Sequence, residues 1–299
     1  EAGQDCAQYA LGKIYRDGQG VEKDIQKAVA LFTLAATKEN SFAAFALGKL
    51  YLAGDAALPR DPAAALKWLT YAAELGNQFA QYRLGKLLLK GDDGIPKDVI
   101  AAIRWLTAAA KQENGYAEYA LALVYLTGED APKDSVKALS LLKRSAGRGN
   151  QFAQYRLGKL LLQGEDAPKD VKAAIRWLTA AAEQGNQYAQ YALGKLYLLG
   201  KEVPKDRSSA IKWFQLATDQ GNEYAQYFLE HMDDRLGQPP VAAVISLFHH
   251  LANIFQEQNQ PPPSGGVRVA VDRKLLRKIK AKKIAQGHKA DDHEPEMQL

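Results

Sequence analysis

The chain has 299 residues, 47% hydrophobic and 24% charged, with 39 lysines and arginines against 34 aspartates and glutamates for a net charge of +5. That balance excludes bulk disorder and leaves ample length for a core. One cysteine, Cys6, excludes an internal disulfide framework and suits a reducing, cytoplasmic setting. No run of ~18 apolar residues reads as a membrane span, and no basic-then-apolar start reads as a signal peptide. The beginning at Glu1, inside a repeat and without Met, reads as that of a fragment.

From the first residues onward the chain repeats itself. Aligned on the small residue of "ALGK", the positions Gly12, Gly48, Gly85, Ala122, Gly158, Gly194 and Glu230 fall 36 or 37 residues apart. A second ladder runs Leu31, Trp68, Trp105, Leu141, Trp177 and Trp213, and a third Asp24, Asp61, Asp98, Asp134, Asp170 and Asp206. The fourteen residues "GNQFAQYRLGKLLL" stand unchanged at Gly76–Leu89 and Gly149–Leu162. Six full units and the leading helix of a seventh are visible.

Each unit predicts helix A, a short loop and helix B. In "NQYAQYALGKLYLLG" the residues Ala189, Leu193 and Tyr197 share one helical face. Asn40, Asn77, Asn114, Asn150, Asn186 and Asn222 stand where an N-cap belongs, and the aspartate ladder opens helix B. The loop "GKEVPKD" carries the Gly and Pro that neither helix tolerates inside. The stripe of helix B reads as Ala210, Trp213 and Ala217, with the tryptophans in the core. Gly76, Gly149, Gly185 and Gly221 suit the left-handed position after helix B. Glu39 and Glu113 replace that glycine, so those two joints are expected to bend differently. The glycine inside helix A costs about 1 kcal/mol against Ala and is expected to admit helix B closely.

These residues resemble the Sel1-like repeat family, relatives of the tetratricopeptide repeats with the pattern A-x-x-x-L-G-x-x-Y, then G, D, A and W. Ala189, Leu193, Gly194, Tyr197, Gly200, Asp206, Ala210 and Trp213 match it within one unit, and the resemblance covers about Ala7 to Met232. It implies an all-α, right-handed α-solenoid serving as a non-enzymatic protein-interaction scaffold. By analogy with tetratricopeptide grooves, helix A lines the concave side. The position three before the small residue then offers Tyr82, Tyr119, Tyr155 and Tyr191, and the position one after offers Lys86, Lys159 and Lys195. Such a row suits an extended peptide with acidic and apolar groups, or stacked bases with phosphates. The structural alternative stays open: repeated aromatics also pack cores, and repeated lysines also keep a surface hydrated. Phe42, Phe79, Tyr116, Phe152, Tyr188 and Tyr224, six before the small residue, are expected to pack between units.

The repeat block is expected to span residues 1–238. Residues 239–258, with Val241, Val244, Ile245, Phe248, Leu251, Ala252 and Phe255 on one face, predict a helix that caps the open end of the array. Residues 259–266, "NQPPPSGG", read as a linker. Residues 267–299 predict a basic helix, with Arg273, Lys274, Arg277, Lys278, Lys280, Lys282 and Lys283 as seven cations in eleven residues, then an acidic end. Such a helix binds DNA or another anionic surface, or docks on an acidic protein. This tail, "VDRKLLRKIKAKKIAQGHKADDHE", resembles the C-terminal portion of MobP-type relaxases of Gram-positive conjugative elements. That resemblance implies a role in conjugative DNA processing, with the nicking domain upstream. The five histidines, His231, His249, His250, His288 and His293, form no catalytic triad, and no phosphate loop, nucleophile elbow or zinc-protease motif occurs. The chain is therefore expected to be no enzyme, with no cofactor, metal or small-molecule substrate. Its expected partners are a protein in the groove and DNA at the tail; an adaptor in signalling or complex assembly without a nucleic-acid role is the alternative.

Overall fold

A computed structural model of the chain describes residues 3–91 and 94–231. The predicted capping helix, linker and basic tail lie outside the described residues. Within them are thirteen α-helices and no named strand. The A helices are α1 (Gln4–Asp17), α3 (Ser41–Ala53), α5 (Gln78–Lys90), α7 (Gly115–Thr127), α9 (Gln151–Gln163), α11 (Gln187–Leu199) and α13 (Glu223–His231). The B helices are α2 (Ile25–Ala36), α4 (Pro62–Glu74), α6 (Val99–Lys111), α8 (Ser135–Gly147), α10 (Val171–Glu183) and α12 (Arg207–Asp219). Each helix packs mainly on the one before and the one after it, so the chain builds an all-α repeat solenoid.

The caps set the repeat length. The side chains of Asn40, Asn77, Asn114, Asn150, Asn186 and Asn222 each accept from a backbone N–H in the first turn of the A helix that follows. The six aspartates of the third ladder do the same for every B helix. The aspartate also ties the loop back, because its own N–H donates to a carbonyl near the end of helix A, as Asp206 does to Tyr197 at 3.0 Å. One residue thus closes the loop and starts the next helix. Each cap is worth about 1 kcal/mol.

Close approach of A to B depends on the interior glycine. A Cβ on Gly158 would lie 2.7 Å from Leu178 Cγ, and one on Gly194 2.7 Å from Phe214 Cδ1. These contacts also correct the expected B-helix stripe. Phe214 is fully buried, whereas Trp213 packs against the core and stays half-buried. Leu69, Leu106 and Leu178, each following a tryptophan, are buried in the same way. The residue facing the glycine fills the space it leaves, and the bulkier tryptophan one step round the helix lies at the edge. Each buried Leu contributes about 1.5–3 kcal/mol.

The joints after helix B are alike in every unit, contrary to expectation. Glu39 and Glu113 adopt φ of 63° and 65°, and Gly76 and Gly149 adopt 85° and 86°. Asn40 and Asn114 donate to Ala35 and Ala109 as Asn77 does to Ala72. The hydrogen-bonded end of helix B imposes the left-handed turn on whatever residue stands there.

Successive units are fastened by buried glutamines. Gln81, Gln154 and Gln190 donate to Ala73, Ala146 and Ala182 carbonyls in the preceding B helix, at 3.0, 3.1 and 3.0 Å. They accept in turn from Gln112, Gln184 and Gln220 of their own unit, at 2.8, 2.7 and 2.7 Å. In α7 a glutamate, Glu118, takes the place of the buried glutamine and is 0% exposed. Arg148 Nε stands 3.3 Å from its Oε2, and Arg144 Nη2 2.6 Å from its Oε1 as an ion pair without hydrogen-bond alignment. Arg144 also donates to the Ala110 carbonyl at 3.3 Å, which Glu118 cannot do.

Candidate functional site

The A helices carry the predicted row of tyrosines and lysines. Tyr82, Tyr119, Tyr155 and Tyr191 are each half-buried and lie against the aromatic ring at the start of the next A helix. The ring centroids are 5.9 Å apart for Tyr82–Tyr116, 6.3 Å for Tyr119–Phe152, and 6.1 Å for Tyr155–Tyr188 and Tyr191–Tyr224. Tyr9–Phe42 and Phe45–Phe79 extend the series to the first units. The rings six before the small residue therefore bridge units as expected. They are also surface, since Phe42, Phe79 and Tyr116 are 52%, 49% and 55% exposed. In these three units packing and display are both real: Phe42, Phe79 and Tyr116 each fasten two units and keep about half their surface exposed.

The lysines lie along the same row. Lys86 Nζ stands 5.9 Å from the centre of the Tyr82 ring, as Lys49 does over Phe45 at 5.8 Å. Lys159 keeps an exposed surface, yet protein on its flanks strips away hydration and lowers its pKa, with Arg156 adding like-charge repulsion. Burial lowers Lys195 likewise, with Lys159 next among the causes. Burial also raises the tyrosines: Tyr82 is pushed from 10.0 to about 12, and Tyr119, Tyr155 and Tyr191 shift in the same direction.

Two residues of this face were missed by sequence reasoning. Arg83 and Arg156 occupy the position two before the small residue, where other units have Ala10, Ala46, Ala120 and Ala192. Among the described residues neither side chain forms a hydrogen bond or ion pair, and the Nε of each is buried without a partner. The signal was present in the sequence as a departure from the repeat, hidden because both lie inside the duplicated fourteen residues. The tail residues Arg273, Lys274, Arg277, Lys278, Lys280, Lys282 and Lys283 lie outside the described residues.

Elsewhere the chemistry is sparse. Among the described residues no group of three His, Cys, Asp or Glu could hold a metal, and no helix is long and apolar enough to cross a membrane. Two open hollows, one beside Tyr15 and Asp55 and one beside Trp68 and Tyr71, are lined by no serine, cysteine or histidine.

Helix pairs of fixed length, capped alike and fastened through one interface, define a helical-repeat protein of the solenoid class. The Sel1 repeat matches at residues 7–40, 41–77, 78–114, 115–150, 151–186 and 187–222, and the chain belongs to the Sel1 repeat family. Sel1 repeats generally serve as non-enzymatic scaffolds for protein–protein interaction. Among solved structures, the chain is similar to c5321, a protective antigen present in uropathogenic Escherichia coli strains, with 34% identity and a TM-score of 0.69. The match covers 79% of this chain and 50% of that one. A Sel1 repeat protein from Oxalobacter formigenes is 33% identical with a TM-score of 0.70, over 77% of this chain and 66% of the other. The chain thus spans half to two-thirds of the length of these relatives. No curated protein matches the chain.

Proposed function

We propose that this chain is a non-enzymatic scaffold that holds a protein partner as an extended segment across its A-helix face. The observation that carries this reading is the alignment of the half-buried Tyr82, Tyr119, Tyr155 and Tyr191 with Lys86, Lys159 and Lys195 on neighbouring A helices, where burial shifts Tyr82, Lys159 and Lys195 toward their neutral forms. Rigid aromatic edges and long cationic stems supply contact area with little ordering cost. The lone cysteine suits a cytoplasmic setting. Random peptides displayed on phage and selected on the intact chain test the reading. Selected peptides lose binding to the Tyr155→Ala/Lys159→Ala variant while its helicity and melting stay unchanged. Retained binding by that variant defeats it.

The composition of the tail supports a second contact, with DNA, in a conjugative DNA-processing assembly of the relaxase kind; this part rests on sequence alone. Fluorescence anisotropy across a salt series is the test. A tail engaging several phosphates gives a log–log slope of about −0.7 to −0.9 per contact. Charge reversal at Lys278, Lys282 and Lys283 flattens that slope. Equal retention by the reversed chain leaves a general adaptor with no nucleic-acid role.

A further inference from the structure

The A-helix face is not uniform, and its departures from the repeat are ordered. In α5 the positions two before and one after the small residue hold Arg83 and Lys86; in α9 they hold Arg156 and Lys159. Between them, α7 offers Ala120 and Leu123 at the same two places. The order along the array is therefore cationic, apolar, cationic. The three-residue step puts both members of each pair on one side of the helix. We infer that the partner segment is an acidic–apolar–acidic peptide whose two carboxylates sit on Arg83 and Arg156 and whose apolar residue lies over Leu123 and Tyr119. The inference rests on the A-face reading above and specifies its ligand.

Three observations favour this ligand. Each guanidinium has a buried Nε without an acceptor among the described residues, so its charge is left undercompensated, and a carboxylate on the remaining nitrogens would balance that charge. Among the described residues no acid is hydrogen-bonded or ion-paired to either guanidinium. Asp166, an acid whose pKa Arg156 helps to lower, is already paired with Lys133 at 2.8 Å and accepts from Ser135 at 2.7 Å. A nucleic-acid strand, with a phosphate at every step, would meet its cations interrupted at Leu123, whereas a peptide with an apolar centre meets the pattern in register.

Helices that pack together lie about 8–10 Å apart, so two steps from α5 to α9 amount to roughly 20 Å. At about 3.3 Å per residue, extended chain covers that span in roughly six residues. The probe is a fluorescein-labelled decapeptide of Ser and Ala with Leu at its centre and two glutamates six positions apart. It is titrated against the intact chain by anisotropy. Arg83→Ala and Arg156→Ala are suitable variants, because alanine at this position is what Ala46 and Ala120 already are in the same fold.

Each variant is expected to weaken binding about ten-fold, the equivalent of one charge-assisted hydrogen bond. Replacing the glutamates by glutamine, or setting them three apart, is expected to do the same or more. Equal binding by the arginine variants, or indifference to glutamate spacing, overturns the inference. An oligothymidylate bound more tightly than the peptide, and lost in Arg156→Ala, overturns it in favour of a polyanion surface. If the phage-selected peptides still depend on Tyr155 and Lys159 while the decapeptide ignores the arginines, the face stands and the acidic ligand falls. If neither dependence is seen, both fall.

Discussion

Glu39 shows what the fold demands of a single residue. It holds φ of 63°, a left-handed conformation that costs an L-residue about 1–2 kcal/mol, because the end of helix B needs that turn. Glu39→Gly relieves the strain at some cost in unfolded-chain entropy, for a net gain of about 1 kcal/mol in urea unfolding. Glu113→Gly gains less, since Glu113 Oε2 lies 2.9 Å from Arg148 Nη1 and that contact is lost. The interior glycines carry the opposite constraint. Gly158→Ala improves helix propensity by about 1 kcal/mol, yet its Cβ would press on Leu178 and on the Ala174 carbonyl at 3.0 Å. Overpacking costs about 1–3 kcal/mol, and here a backbone oxygen must yield, so the variant is expected to unfold at lower urea. The spacing of both kinds of glycine was plain in the sequence. That Glu39 would take a glycine's conformation was not, because propensity alone argues against it and only the hydrogen bonds around it decide.

At the scale of helices, the interface centred on Glu118 differs in kind from its neighbours. A carboxylate held by Arg148 and Arg144 replaces the neutral glutamine relay, and it is wholly removed from water. Glu118→Ala removes the acceptor of two arginines that are themselves part-exposed, and is expected to cost about 1.5–3 kcal/mol, the range of a hydrogen bond to a charged group, measurable as an early transition in denaturant. The pair Glu118→Gln with Arg148→Gln rebuilds the relay seen around Gln154 and is expected to recover most of that loss, which a double-mutant cycle would read as strong coupling. The paired helices, their caps and their loops were legible because Asn, Asp, Gly and Pro act locally and return at a fixed period. The relay was not. A buried glutamine on helix A is indistinguishable in sequence from an exposed one until the neighbouring B helix is in place. The tryptophans misled for a related reason: a conspicuous residue drew attention from the smaller Leu or Phe beside it, and which of the two faces the glycine is settled by packing.

Across the described helices, each packs mainly on its neighbours in the chain, so stability is shared among repeats and the interfaces between them. The aromatic row gives that sum a pH dependence. Burial raises Tyr82, Tyr119, Tyr155 and Tyr191, so folding favours their neutral form. Their contribution is complete below 10.0, the ordinary tyrosine value, and is lost as pH climbs toward about 12 for Tyr82. Lys159 and Lys195, lowered by burial, act in the opposite sense and gain as they discharge. Four tyrosines against two lysines predict net alkaline destabilisation. Phenolate absorbance should rise together with loss of helicity, and Tyr191→Phe should blunt that loss.

The fourteen residues shared by Gly76–Leu89 and Gly149–Leu162 occupy the same place in two units of the fold. A recombination that joins the two copies in frame removes 73 residues (149 − 76), which is two whole repeats. In the shortened chain Gln154 meets the Ala73 carbonyl as Gln81 did, Phe152 takes the place of Phe79 against Phe45, and Gln184 still donates to Gln154. Glu118, Arg144 and Arg148 leave together, so no buried charge is stranded. Gene rearrangement can therefore change the length of this protein in steps the fold accepts, and each such step alters its ligand: the excised form keeps one arginine of the pair, and with it one carboxylate's worth of recognition.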